Sequence, residues 1–328
     1  MSSPRIVVAG ASAGGVVALQ ALASQLGPDF PAPLLVVQHI GKHTSILPDL
    51  LVRRAGTPAS HAAEGDEPRA GHIHVAPPDR HMFLKEGRIS LSHGPRENHA
   101  RPAIDPLFRS AAAEYGTGVI GVLLTGHLDD GTAGLQAIKA RGGIAVVQHP
   151  SDAESPSMPA SAMRYVEVDH AVPLQEMGAL LHRLVAAPAP PPAAGIGASL
   201  THEIDLMLNR GDPFEHLGAI GRPSTFVCPD CSGALWEIAG SQPRRYRCHT
   251  GHGFTLRSLQ HAQAEGADEA LWSAFRALQE KEILLRSLAS AEAAAQVDSA
   301  HWLREADQVS RHAEALRRLI ERVPTSPE

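Results

Sequence analysis

Residues 5–15, RIVVAGASAGG, constrain the fold of this chain more than any other stretch. Ile6, Val7, Val8 and Ala9 form a short apolar run with no polar alternation, the pattern of a buried strand. Gly10, Ala11, Ser12, Ala13 and Gly14 then spell G-x-S-x-G directly ahead of a helical pattern. Three readings of this turn stand open. As a nucleophile elbow it would hold the Ser12 hydroxyl out of the sheet, with small neighbours letting a carbonyl approach the backbone. The Ala13 N–H, at the helix start, would then be an oxyanion donor. As a degraded G-x-G-x-x-G it would cradle a dinucleotide phosphate. As a plain turn it would do neither. The next apolar run, PLLVVQHI at residues 33–40, has Gln38 and His39 where a ribose-binding carboxylate belongs. A histidine at a strand's end is what a serine nucleophile needs.

Further along, helical patterns at 16–26, about 47–54, 104–114 and 132–141 alternate with strand patterns at 34–39, 72–76, 119–124, 144–147 and 165–168. Residues 82–84 and 88–91 flank a hairpin turn, and 55–70 read as polar turn. Strands alternating with helices predict an α/β fold, a doubly wound and mostly parallel sheet. The run AAPAPPPAA at 186–194 reads as an extended linker, so a domain boundary is expected there. The expected organisation is a catalytic domain at 1–185, a linker at 186–198, a helix and loop at 199–225, a metal ribbon at 226–256 and a helical hairpin at 257–328.

With 328 residues and a net charge of -6, the chain has room for a large core and carries no global basic field. Nucleic acid is not suggested as the main partner. No run of 18 apolar residues and no signal-peptide pattern is found, and the few cysteines point to a reduced compartment, so a cytoplasmic location is expected.

In an open parallel sheet, functional groups collect at the carboxyl ends of the strands. Three such ends carry Ser12, His39 and the pair Asp129, Asp130. A serine hydroxyl is a poor nucleophile until an imidazole takes its proton, and the imidazole needs a carboxylate to fix its tautomer. Each residue alone is weak evidence, since strand-end histidines and D-D-G turns are common. Their coincidence at three ends carries the reading.

The stretches GASAGG, VVQHI, HIHVAPPDRHM, RPAIDPLFRSAA, VLLTGHLDDGTAG and SPSMPASAM, in this order, resemble the catalytic domain of the CheB chemotaxis methylesterases. The likeness covers about residues 4–185. It implies removal of methyl groups from glutamate side chains of methyl-accepting chemoreceptors, with methanol as the product, and in some members deamidation of receptor glutamines. It also implies Ser12 as nucleophile, His39 as base and Asp130 as the carboxylate, because the family pattern TGMGxDG aligns its Asp with Asp130 and leaves Asp129 on the variable position. Ala13 stands where the family often has Thr, and His127 and Leu128 replace its Met and Gly. The typical member has a receiver domain ahead of the esterase strand, so the chain resembles stand-alone forms without one.

The three cysteines fall in CPDC and RCHTGH. Cys228 and Cys231 have C-x2-C spacing, and Cys248 with His252 has C-x3-H spacing. Two such knuckles predict a small ribbon closed by zinc in a tetrahedral site. His249 is a rival fourth ligand, but its adjacency to Cys248 would strain the chelate. Four protein ligands leave no open position, so the zinc is structural and catalysis needs no cofactor. Arg244, Arg245 and Arg247 are also a candidate nucleic-acid mark. After the ribbon, Trp302, Ala306, Val309, Ala313, Leu316, Ile320 and Val323 form a heptad seam, with Leu271, Phe275, Leu278, Leu285 and Leu288 as a matching face. The reading is a cytoplasmic serine esterase of the protein-glutamate methylesterase type. The alternatives are an esterase or deamidase on another substrate, and a non-catalytic signalling adaptor that keeps the esterase fold.

Overall fold

In the computed structural model, which describes residues 5–191, 197–295 and 298–322, the apolar run after Arg5 is strand β1 (Ile6–Ala11), wholly buried. It is followed by α1 (Gly15–Leu26), β2 (Leu34–Gln38), α2 (Leu47–Ala55), β3 (Ala59–His61), β4 (Ile73–Val75), the hairpin β5 (His81–Lys85) and β6 (Arg88–Ser92), α3 (Ile104–Tyr115), β7 (Val119–Leu123), α4 (Thr132–Ala140), β8 (Ile144–Gln148), α5 (Ser157–Tyr165), β9 (His170–Val172) and α6 (Leu174–Ala186). Seven parallel strands lie in the order β3-β4-β2-β1-β7-β8-β9. Ile6, Val8, Leu35 and Val37 face a core shared with α3, α4 and α5, while Val7, Ala9, Leu34 and Val36 face a second core shared with α1, α2 and α6. Both faces are covered, which is why these strands show no polar alternation in the sequence.

The chain leaves β1 toward β2 on one side, and α3 later carries it back to β7 on the other side of β1. The strand order therefore reverses around β1, and in such sheets the crevice for a ligand opens beyond the carboxyl ends at that point. Two expectations shift. The strand expected at 165–168 lies at 170–172 instead: Val166 and Val168 pack into the core without joining the ladder. A short edge strand, β3, stands within the stretch read as polar turn.

Beyond residue 197 come α7 (Ala198–Met207), α8 (Pro213–Ile220), an antiparallel four-stranded sheet of β10 (Gly221–Val227), β11 (Ala234–Ile238), β12 (Arg245–Cys248) and β13 (Gly253–Thr255), then α9 (Leu256–Ala294) and α10 (Ala300–Ile320). The chain divides into two compact units, Met1–Leu259 and Gln260–Glu328. The Pro/Ala stretch thus does not separate compact bodies. Its carbonyls have no ladder of their own and take side-chain donors instead: Arg5 reaches Ala187 O at 3.2 Å and Pro188 O at 3.4 Å, and Thr117 Oγ1 reaches Pro190 O at 2.6 Å.

Buried ion pairs fasten the four-stranded sheet to the parallel one. Arg109 on α3 pairs with Glu97, with Asp105 at 3.3 Å and with Glu203 of α7 at 3.2 Å. Arg247 reaches Glu97 at 2.9 Å, and Arg245 reaches Glu203 at 2.6 Å. Two of the three arginines read as a candidate nucleic-acid mark, Arg245 and Arg247, therefore point into this cluster.

In the second unit, Trp302, Ala306 and Val309 pack with Leu278 and Leu285, and Lys281–Glu305 (3.0 Å) and Arg286–Asp307 (3.1 Å) pair across the two helices. Ala313 and Ile320 are buried as the seam predicts; Leu288 is exposed, with Ala289 buried beside it. Val323 lies outside the described residues.

Candidate active site and metal cluster

Ser12 follows β1, His39 follows β2, and Asp130 sits in the loop after β7. These three strands are neighbours, so the topology alone brings the residues to one edge. Ser12 is fixed by its own backbone: its N–H donates to Thr125 O at 2.9 Å, and its carbonyl accepts from Gln38 Nε2 at 2.8 Å and from the Gly15 N–H at 2.8 Å. Gly15 has to be glycine, because a Cβ there would lie 2.1 Å from Gln38 Oε1. Gln38, which a dinucleotide site would replace by an acid, thus holds the elbow.

His39 Nδ1 lies 3.1 Å from Ser12 Oγ, and His39 Nε2 lies 2.8 Å from Asp130 Oδ2. An ionised carboxylate only accepts, so the Nε2–H points at Asp130 and the Nδ1 lone pair faces Ser12. The ring is used the opposite way round from the chymotrypsin-type triad, where Nε2 faces the nucleophile. Asp130 is buried, and every donor around it serves the charged form. Oδ2 also accepts from the Ile104 N–H at 2.7 Å; Oδ1 accepts from Asn98 Nδ2 at 3.1 Å, the Gly131 N–H at 3.0 Å and the Asp105 N–H at 3.3 Å. Burial pushes its pKa up, but the hydrogen bonds and charge of His39, with the Ile104 and Asn98 donors, outweigh that and hold it below the usual carboxylate range.

Asp129 lies apart from the His39–Asp130 pair. Its Oδ1 accepts from Thr255 Oγ1 at 2.7 Å and its Oδ2 has no partner among the described residues. Burial raises its pKa to about 6, against the Thr255 hydrogen bond and the charge of Arg257. Leu128, in the place of the family's glycine, has φ 61, a left-handed backbone that a branched side chain adopts at a cost. The Ala13 N–H makes no hydrogen bond among the described residues and stands one residue from Ser12. The His127 N–H is also unbonded and follows Gly126, whose Cα packs against Ser12 so closely that a Cβ would lie 2.8 Å from Ser12 Cβ. The sequence reading missed this second candidate donor.

Cys228, Cys231, Cys248 and His252 also come together, their donor atoms all within 4.8 Å of one another. Cys231 Sγ and Cys248 Sγ are 3.7 Å apart. A tetrahedron with metal–sulfur bonds of about 2.3 Å has an edge of about 3.8 Å, so the spacing of these two thiols is compatible with a zinc ion. His252 turns Nδ1 to Cys248 Sγ at 3.5 Å, and its Nε2 lies 3.8 Å from the Asp230 carboxylate. His249 stacks on Phe214 instead, with ring centroids 5.6 Å apart.

The family model for CheB methylesterase matches residues 7–181, more than half of the chain. The chain belongs to the CheB methylesterase family. A putative protein-glutamate methylesterase/protein-glutamine glutaminase of Leptospira interrogans is 39% identical over 180 residues, covering 54% of this chain and 93% of that one. A protein of Anaeromyxobacter dehalogenans named protein-glutamate methylesterase/protein-glutamine glutaminase 2 is 41% identical over 180 residues, covering 55% of this chain and 53% of its own. The crystal structure of the Thermotoga maritima CheB methylesterase catalytic domain matches with a TM-score of 0.53 and 31% identity, over 56% of this chain and 99% of that one. The CheB match ends at residue 181, so the cysteine cluster and the helical pair lie beyond it. Among the described residues no helix is long and apolar enough to cross a membrane.

Proposed function

We propose that this CheB-type chain hydrolyses methyl esters of glutamate side chains on methyl-accepting chemoreceptors in the cytoplasm, with Ser12, His39 and Asp130 as its triad. The observation that carries the reading is the unbroken hydrogen-bonded series Ser12 Oγ, His39 Nδ1, His39 Nε2, Asp130 Oδ2 at the switch point of the sheet. Ser12 Oγ attacks the ester carbonyl carbon while His39 Nδ1 takes its proton. The carbonyl oxygen gains the negative charge and faces the Ala13 N–H. Collapse breaks the C–O bond to the methoxy group, which takes the proton from Nδ1 and leaves as methanol. Water then attacks the acyl-enzyme, giving its proton to Nδ1, and the glutamate carboxyl and Ser12 hydroxyl are restored. The same path on a side-chain amide releases ammonia, consistent with the glutaminase half of the relatives' names.

Cys228, Cys231, Cys248 and His252 would hold zinc as a structural ion, since all four corners of the tetrahedron belong to the protein. Its chemistry when bound is to cross-link two knuckles. The test of the esterase reading is methanol release from methylated receptor, with fluorophosphonate labelling as the report on Ser12. Ser12→Ala removes one hydroxyl at a site lined by small residues, so turnover and labelling are expected to vanish while the melting temperature stays put. Methanol release that survives the substitution sinks the assignment.

A further inference from the structure

Asp130 offers Oδ2 to His39 and Oδ1 to Asn98. Asn98 lies in the loop ahead of α3, buried, with a left-handed φ of 51° that asparagine tolerates better than most residues. Its other contacts come from residues 253–258, at the end of the four-stranded sheet and the start of α9. The Asn98 N–H donates to Gly253 O at 2.8 Å, while its Oδ1 accepts from the Thr255 N–H at 3.1 Å and from Ser258 Oγ at 2.9 Å. A carboxamide can turn either way, but a backbone N–H can only donate. The Thr255 N–H, which Asn98 Oδ1 shares with Ser258 Oγ at 2.9 Å, and the acceptor-only carboxylate of Asp130 thus agree on one direction, Oδ1 toward Thr255 and Nδ2 toward Asp130. Residues 253–258 begin directly after His252. Asp230, between Cys228 and Cys231, lies 3.8 Å from His252 Nε2 and 3.5 Å from Nδ1 of His99, the neighbour of Asn98.

We infer that Asn98 is a positioning residue for Asp130, and that the cysteine–histidine cluster steadies it by holding residues 253–258 against its Oδ1. The inference rests on the reading of Ser12, His39 and Asp130 as a triad. It makes the metal-bearing sheet a supporting part of the active centre, although no residue of that sheet touches Ser12 or His39 by any hydrogen bond among the described residues. If Thr255 and Ser258 move, Asn98 Oδ1 loses its two donors and only the pull of Asp130 on Nδ2 is left to hold the amide, so the carboxylate that orients His39 is less firmly placed.

The test uses the full-length, zinc-loaded protein. Asn98→Gly keeps the left-handed backbone and deletes the amide; Asn98→Asp keeps the shape and the backbone preference but presents a carboxylate to Asp130. Each is measured for kcat and KM on a small methyl ester, for the rate of fluorophosphonate labelling at Ser12, and for the low-field proton resonance of the His39 Nε2–H. Loss of a hydrogen bond to a charged group predicts a fall in kcat of roughly ten- to a hundredfold, with KM within about twofold, and a displaced resonance. Cys231→Ser, or chelation, is expected to lower the metal content, displace the same resonance and slow labelling. In the Asn98→Gly background metal loss adds little further, because both changes remove the same contact. A wild-type protein that is labelled at Ser12, together with Asn98 variants that keep kcat and resonance unchanged, overturns the inference and leaves the triad standing. A folded wild type that is not labelled at all overturns the triad itself.

Discussion

Replacing Asp130 by Asn separates catalysis from folding in a way the donors around it make calculable. Asp130 accepts at both oxygens and donates nowhere: two donors meet Oδ2 and three meet Oδ1. An asparagine keeps one acceptor. With its oxygen in the Oδ1 place, the new NH2 faces the Ile104 N–H and His39 Nε2. With the oxygen in the Oδ2 place, it faces two backbone N–H groups and an Asn98 amide whose direction Thr255 fixes. The first arrangement leaves fewer donors unpaired. There the Ile104 N–H loses its acceptor, at about 1–3 kcal/mol, or a melting temperature lower by roughly 2–10 °C. His39 can still pair with the amide only by moving its proton to Nδ1, which then donates to Ser12 Oγ and no longer takes its proton. By analogy with the same change in serine proteases, kcat should fall about 10⁴-fold. The assay is methanol release at fixed receptor concentration, beside thermal melts. Turnover within about tenfold of wild type, in a variant still labelled at Ser12, refutes both the carboxylate assignment and the tautomer argument.

Asp129→Asn should leave turnover within a few-fold and instead change how stability depends on pH. The folded pKa, raised to about 6 by burial, favours the protonated acid, so the contribution is fully present below about pH 4 and is lost as pH rises through about 6. The substitution should therefore gain about 2 kcal/mol on wild type between pH 4.5 and 7.5 in urea melts; an equal difference at both pH values counts against the buried titration. Arg109→Met leaves Glu97, Asp105 and Glu203 without their shared partner, and thermal unfolding should show a loss of about 3–5 kcal/mol. Arg88→Ala, which breaks the exposed pair with Glu67, should cost under about 1 kcal/mol. Similar losses at the two arginines would mean that the buried cluster is not under electrostatic constraint.

The catalytic half was legible because its signals are local and its geometry is generic. Apolar runs such as IVVA and LLVVQ announce strands covered on both faces, and a parallel sheet gathers whatever follows them. Ser12, His39 and Asp130 therefore could be placed together before any distance was known. The cysteine spacing was legible for the same reason: each knuckle is a local turn. What escaped is held by polar contacts across long separations. Asn98, Thr255 and Glu203 carry no local sign of their partners, which are 32, 157 and 42 residues away. The AAPAPPPAA composition predicts an extended chain but not what lies on either side of it. Charged residues at 97, 109, 203, 245 and 247 look like solvent-facing positions until four of them are found buried together, with Arg245 half-buried beside them.

The buried ion cluster also bears on whether the tail is a detachable module. The part before the Pro/Ala stretch contributes Glu97 and Arg109, and the part after it Glu203, Arg245 and Arg247: Glu97 pairs with Arg247 and Arg109 with Glu203 across the divide, while burial pushes the Asp105 carboxyl up to about 8. Each part is the other's counter-ion. Cut at the visible seam, each would leave a charge without its partner on a surface shaped to be dry, and neither could be grafted onto a stranger without supplying that partner. A gene fusion joining another esterase to this tail would therefore inherit the cysteines yet not the docking, unless it also carried an acidic residue in the place of Glu97.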